Sequence, residues 1–96
     1  MTTRFSLGQL LATPGALSAL EESKQSPAIF LDRHLRGDWG EVCDSDKKLN
    51  DESLGDGSRL MSAYRTTAGV KIWVITEAAD DQGQRAATTI LLPEEY

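Results

Sequence analysis

The hydrophobic period changes once along this chain, at Gly57, and that change limits the possible folds more than any single residue does. After it, Arg59 to Thr66 (RLMSAYRT), Val70 to Glu77 (VKIWVITE) and Ala86 to Leu92 (AATTILL) are rich in β-branched and aromatic residues and are separated by turn material. Before it, the punctuation is helical. Thr13-Pro14 and Ser26-Pro27 each place a capping hydroxyl ahead of a proline pre-set for the first helical position. These signals predict one helix from Pro14 to about Lys24, with Leu17 and Leu20 inward. They predict a second from Pro27 to Leu35 or Arg36, carrying Phe30, Leu31 and His34 or Leu35 at helical spacing and stopped by Gly37.

Asp38 to Val42 has room for one further turn, with Trp39 and Val42 on one side. A third helix is expected from Asp44 or Ser45 through Ser53, ended by Gly55, with Leu49 and Leu54 as its large apolar residues. The segment from Phe5 to Ala12 reads equally as a short strand or a first turn. The expectation is an α+β fold spanning residues 1–96 as one domain. Two to three N-terminal helices, over about residues 13–54, pack on a three- or four-stranded antiparallel β-meander over about residues 58–93. The first hairpin has two possible registers. A two-residue loop sets Tyr64 opposite Trp73, and a three-residue loop ending in Gly69 sets Arg59 opposite Glu77.

Composition removes several classes of function. One cysteine, Cys43, closes no intramolecular disulfide, and with one histidine it cannot supply the four ligands of a structural zinc site. No metal or cofactor is expected. Arg4 and the uncharged stretch after it invite comparison with a signal peptide, with Leu17 to Ala19 as a cleavage site, but Gly8, Gln9, Thr13 and Pro14 interrupt any apolar centre. A cytoplasmic setting is therefore expected. No apolar run approaches the ~20 residues a membrane helix needs.

The net charge of -5 is local. Between Asp38 and Asp56 there are 7 acidic residues and 2 basic ones, so this segment holds the whole imbalance. An acidic chain lacks the positive field of a nucleic-acid module, which points to a protein partner instead. The acidic segment offers Asp38, Asp44, Asp46, Asp51 and Glu52. The aromatic residues Trp39, Tyr64 and Trp73 are the other candidates for a partner surface, since aromatic anchors beside charge are typical of hot spots. Lys47 and Lys48 break the ligand spacing of a calcium loop, so a solvated helix face is the default for these acids. The alternative is a small hydrolase or nuclease-like toxin using His34 as general base with Asp38 and either Arg36 or Arg59.

The strings LGQLLATPGAL, RHLRGDWGEVCDSDKKLND, RLMSAY, KIWVITE and TTILLPEEY, taken together, resemble a family of small bacterial plasmid-related proteins carried on plasmids and integrative elements. Some members bear a label linking them to type I restriction systems. The resemblance implies a mobile-element context and assigns no activity, fold or site residues.

Overall fold

The computed structural model describes residues 5–96; Arg4, the head of the signal-like segment, lies outside them. The α+β class holds, with three α-helices and one four-stranded sheet among the described residues. The elements are β1 (Gln9–Ala12), α1 (Pro14–Ser23), α2 (Pro27–Leu35), α3 (Asp44–Asp56), β2 (Leu60–Arg65), β3 (Lys71–Thr76) and β4 (Ala87–Leu91), followed by a 3-10 turn over Pro93–Glu95.

Local chemistry explains the helices. The Thr13 hydroxyl accepts from the Ala16 amide at 3.3 Å and the Ser26 hydroxyl from the Ala28 amide at 3.2 Å, so both hydroxyl-proline pairs act as N-caps. α3 runs past the expected stop at Gly55 and ends instead at Gly57, whose φ of +82° suits a left-handed cap. Gly55 is an ordinary helical residue, with nothing within 4 Å of the position a Cβ would take. Gly55→Ala should therefore stabilise the protein by about 0.5–1 kcal/mol, read as an upward shift of the urea midpoint at constant slope.

The extra turn expected over Asp38 to Val42 does not form. Gly40 instead makes a parallel bridge to Ala63 at the edge of β2, where Ala63 N–H donates to the Trp39 carbonyl at 3.1 Å. Gly40 has φ of +72°, and a Cβ there would lie 2.7 Å from the Tyr64 ring, so this approach requires glycine.

The three strands of the second half appear where the period-2 pattern places them. β2 and β3 pair Leu60 with Thr76 and Ala63 with Trp73, which is the register of the three-residue loop; Tyr64 faces Ile72 rather than Trp73. Gly69, at φ +84°, supplies the left-handed position that such a loop requires. The expectation of a purely antiparallel meander is corrected by β1. The sheet order is β1-β4-β3-β2, with β1 parallel to β4 and Gln9 beside Ala87. The Gln9 amide donates to the Ala86 carbonyl and the Thr13 amide to the Ile90 carbonyl, both at 3.0 Å. The short apolar run before α1 thus finds a backbone partner at the far end of the chain.

One sheet face is closed by α1 and α2. Ala16, Leu20, Phe30 and Leu31 pack there on Tyr64, Ile72, Val74 and Ile90. The opposite face carries Met61, Ala63, Trp73, Ile75, Thr89 and Leu91, of which Met61, Trp73 and Thr89 remain partly exposed. No helix among the described residues is long and apolar enough to cross a membrane.

Candidate functional site

His34 lies in the last turn of α2 and is 0% exposed. Its Nδ1 is 2.5 Å from the Ser62 hydroxyl and its Nε2 is 2.9 Å from the Thr76 hydroxyl. Thr76 in turn meets Thr88 at 2.7 Å, and Thr88 donates to the Leu7 carbonyl at 2.8 Å. The protons along this chain can be assigned by counting donors. A carbonyl only accepts, so Thr88 spends its proton on Leu7, Thr76 spends its own on Thr88, and Nε2–H of His34 must donate to Thr76. The neutral imidazole then accepts from Ser62 at Nδ1. Burial, assisted by the charge of Arg85, lowers the His34 pKa from 6.5 to about 4.

The residues of the hydrolase alternative are not brought together. His34 faces the core, Asp38 takes the Arg33 guanidinium at 2.7 Å, Arg36 pairs with Asp32 at 2.7 Å on the outer side of α2, and Arg59 meets the Tyr96 hydroxyl. The Arg33 contact holds the Asp38 carboxyl below its usual range. The Ser62–His34–Thr76 series resembles a catalytic relay in composition, yet Ser62, His34 and Thr76 are all 0% exposed, so it works as a polar clamp between α2 and the sheet.

Two of the aromatic candidates are also interior, which corrects their assignment to an exposed surface. Trp39 is 4% exposed and Tyr64 is 1% exposed. The Trp39 ring lies 5.6 Å from that of His34 and 6.4 Å from that of Phe5, and its indole N–H donates to Asp51 at 3.1 Å. The Tyr64 hydroxyl donates to the Asp38 carbonyl at 2.6 Å. A domain this small fills its core with its largest side chains. Burial pushes the Tyr64 phenol well above its ordinary pKa, with the Ser62 hydroxyl acting in the opposite direction.

Trp73 is different. It sits half-buried on the less covered sheet face, with its ring 5.7 Å from Tyr96 in an edge-on arrangement. Arg59 donates to the Tyr96 hydroxyl, with its guanidinium 5.7 Å from the ring centre. The C-terminal turn is held over this face by Glu95, whose carboxylate takes the Thr13 hydroxyl, the Gly15 amide at 3.1 Å and the Leu92 amide at 2.9 Å. A groove of about 380 Å³ runs between Arg59, Ile75, Thr89, Leu91 and Tyr96.

A second groove, of about 220 Å³, lies on the other side of Arg59 between Asp46, Leu49, Asn50 and Met61. α3 reaches β2 through Asn50, whose side-chain amide donates to the Met61 carbonyl at 2.7 Å and accepts the Met61 amide at 3.1 Å. This two-bond pairing fixes the acidic helix along the edge of the sheet. Leu49, 56% exposed, stands beside Asp46. Asp44 and Glu52 are exposed, whereas Asp51 is engaged by the Trp39 indole.

Sequence reasoning missed Asn50, Arg85 and Tyr96, and it named Arg59 only as a catalytic alternative, not as the residue between the two grooves. Arg85, 6% exposed, donates to the carbonyls of Ser53, Ser58 and Glu77 and so ties the end of α3 to the sheet. A lone arginine in a polar loop carries no signal of such a role. Beside it lies a cleft of about 390 Å³ whose Asp56 and Asp80 cap neighbouring backbone amides. Among the described residues no group of His, Cys, Asp and Glu is placed to hold a metal ion. No protein-family model, curated protein or solved structure matches this chain.

Proposed function

We propose that this chain is a small non-enzymatic interaction module of a mobile genetic element, acting in the cytoplasm and binding a protein partner. The surface is the acidic outer side of α3 together with the less covered sheet face around Arg59, Trp73 and Tyr96. One observation carries the reading: Arg59 borders both grooves, so the exposed Leu49 with Asp46 on one side and Tyr96, paired with Trp73, on the other lie along one strip. Apolar anchors rimmed by charge are the usual composition of a protein-binding patch. The burial of His34 with both ring nitrogens engaged supports a binding role over a catalytic one.

The test is capture from a host lysate by the immobilised protein, with two variants. Asp44, Asp46 and Glu52 reversed together to Lys, and Leu49→Asp alone, should each reduce recovery of a specific partner at least about tenfold, a loss of roughly 1.4 kcal/mol. Asp51 is left intact because its carboxylate holds Trp39. Recovery that neither variant changes removes this surface from consideration.

A further inference from the structure

We propose that two copies of this chain associate through β1, edge to edge and antiparallel, to make one continuous eight-stranded sheet. The proposal does not depend on the partner surface above, which runs from the opposite edge across one face of the sheet as far as β4 and does not use the backbone edge of β1.

β1 is a terminal strand of the sheet, and it lacks the protections that terminal strands usually carry. Its sequence, QLLA, contains no charge, no proline and no glycine, and the whole stretch from Phe5 to Leu20 is uncharged. Leu10 is 55% exposed and Leu11 is 44% exposed, although they point to opposite faces of the sheet. Beside Leu10 an apolar groove of about 240 Å³ is lined by Pro27, Leu31 and Ile90. Such an edge presents both hydrogen-bonding groups and apolar side chains to whatever strand can reach it.

The placement of charge selects a second copy as the occupant. The sheet order puts β1 and β2 at opposite edges, and Asn50 fastens the acidic α3 to β2. Two copies joined through β1 therefore meet on neutral surfaces while their acidic helices sit at the two far ends, where mutual repulsion is least. The carboxylate at the end of β1, that of Glu95, is bonded to Thr13, Gly15 and Leu92.

The backbone also selects a register. Gln9 and Thr13 direct their amides toward β4, so by alternation Leu10 and Ala12 direct their N–H and C=O groups outward. An antiparallel pair centred on Leu11 sets Leu10 opposite Ala12 of the second copy, and Ala12 opposite its Leu10. Both outward residues are then fully bonded. The two Leu11 residues face each other as a non-hydrogen-bonded pair, with Cα atoms about 4.5 Å apart and side chains in contact.

The mass in solution and a crosslink test this. At high micromolar concentration the protein should elute with twice its 10.5 kDa chain mass in light scattering. Leu11→Lys should weaken association roughly tenfold or more while leaving the circular dichroism spectrum unchanged, because apolar contact is replaced by directly opposed like charges. In a Cys43→Ser background, Leu11→Cys should form an intermolecular disulfide under mild oxidation, since its pair geometry lies within disulfide range, and Leu10→Cys should not. A monomer at high micromolar concentration overturns the proposal. So does a dimer whose stability Leu11→Lys leaves unchanged, or one that crosslinks through position 10 in preference to 11.

Discussion

Trp39→Ala should destabilise the protein by about 3–5 kcal/mol, the usual range for deleting a large aromatic from a packed interior. Trp39 packs with Val42, Leu60 and Ala63, with Phe5 and Met61 against the same cluster. Its carbonyl accepts from Ala63 and its indole N–H donates to Asp51, so one residue joins the loop after α2 to β2 and to α3. Truncation leaves a cavity in the cluster and removes the tie to Asp51, whose exposed carboxylate turns back to water. Trp39→Phe keeps much of the ring but loses the donor, and should cost only about 1–2 kcal/mol. Asp51→Asn keeps an acceptor oxygen and should cost less still. Urea unfolding of the three variants checks this order. A loss under about 1 kcal/mol for Trp39→Ala would show that the cluster contributes little to stability.

The second large effect concerns acid. His34 has a folded-state pKa of about 4 against 6.5 when unfolded, so its contribution is fully present above pH ~6.5 and is lost as pH falls toward ~4. The whole shift corresponds to about 3 kcal/mol, of which about 2 kcal/mol should be gone by pH ~5. For a domain whose total stability is about 5–15 kcal/mol, that is a large share. The physical cost is specific: a charged imidazolium must stand without water beside Arg85, and its newly protonated Nδ1 faces the Ser62 hydroxyl that had been donating to it. Asp38 and Glu95 have depressed pKa values, so their contributions are present above the ordinary carboxylate range and disappear at still lower pH. Comparing pH ~7 with pH ~5 therefore isolates the histidine. His34→Leu should lower stability at pH ~7 by about 2–4 kcal/mol, because Ser62 and Thr76 lose their partner. It should also abolish most of the decline between pH ~7 and pH ~5. A variant that declines as steeply as wild type would assign the acid sensitivity to other groups.

The buried polar clamp shows where a linear reading runs out. His34, Ser62, Thr76 and Thr88 lie on four separate elements, and each alone reads as an ordinary helix or strand residue. Their interaction exists only because the strand register places Thr76 opposite Thr88 and the Leu60–Thr76 pairing aligns Ser62 with them under α2. Trp39 and Tyr64 have charged neighbours in sequence, Asp38 and Arg65 among them, which point toward a surface, yet their volume is what the interior needs. Asn50 hooks a strand that begins ten residues later, and only proximity in space makes it a clamp.

The chain itself determined its local elements. Hydroxyl-proline pairs, glycines at left-handed positions and a single change of hydrophobic period act within a few residues of themselves, and so α1, α2 and the three strands of the second half are legible without any tertiary information. The concentration of charge between Asp38 and Asp56 is likewise a property of order along the chain. Tertiary structure decided everything that joins distant residues. It paired β1 with β4 in parallel, closed His34 into a dry network, turned Trp39 inward, and set the acidic helix and the uncharged strand at opposite edges of one sheet. Those outcomes depend on burial and on backbone groups finding partners far away in sequence, and neither is encoded in the spacing of neighbouring side chains.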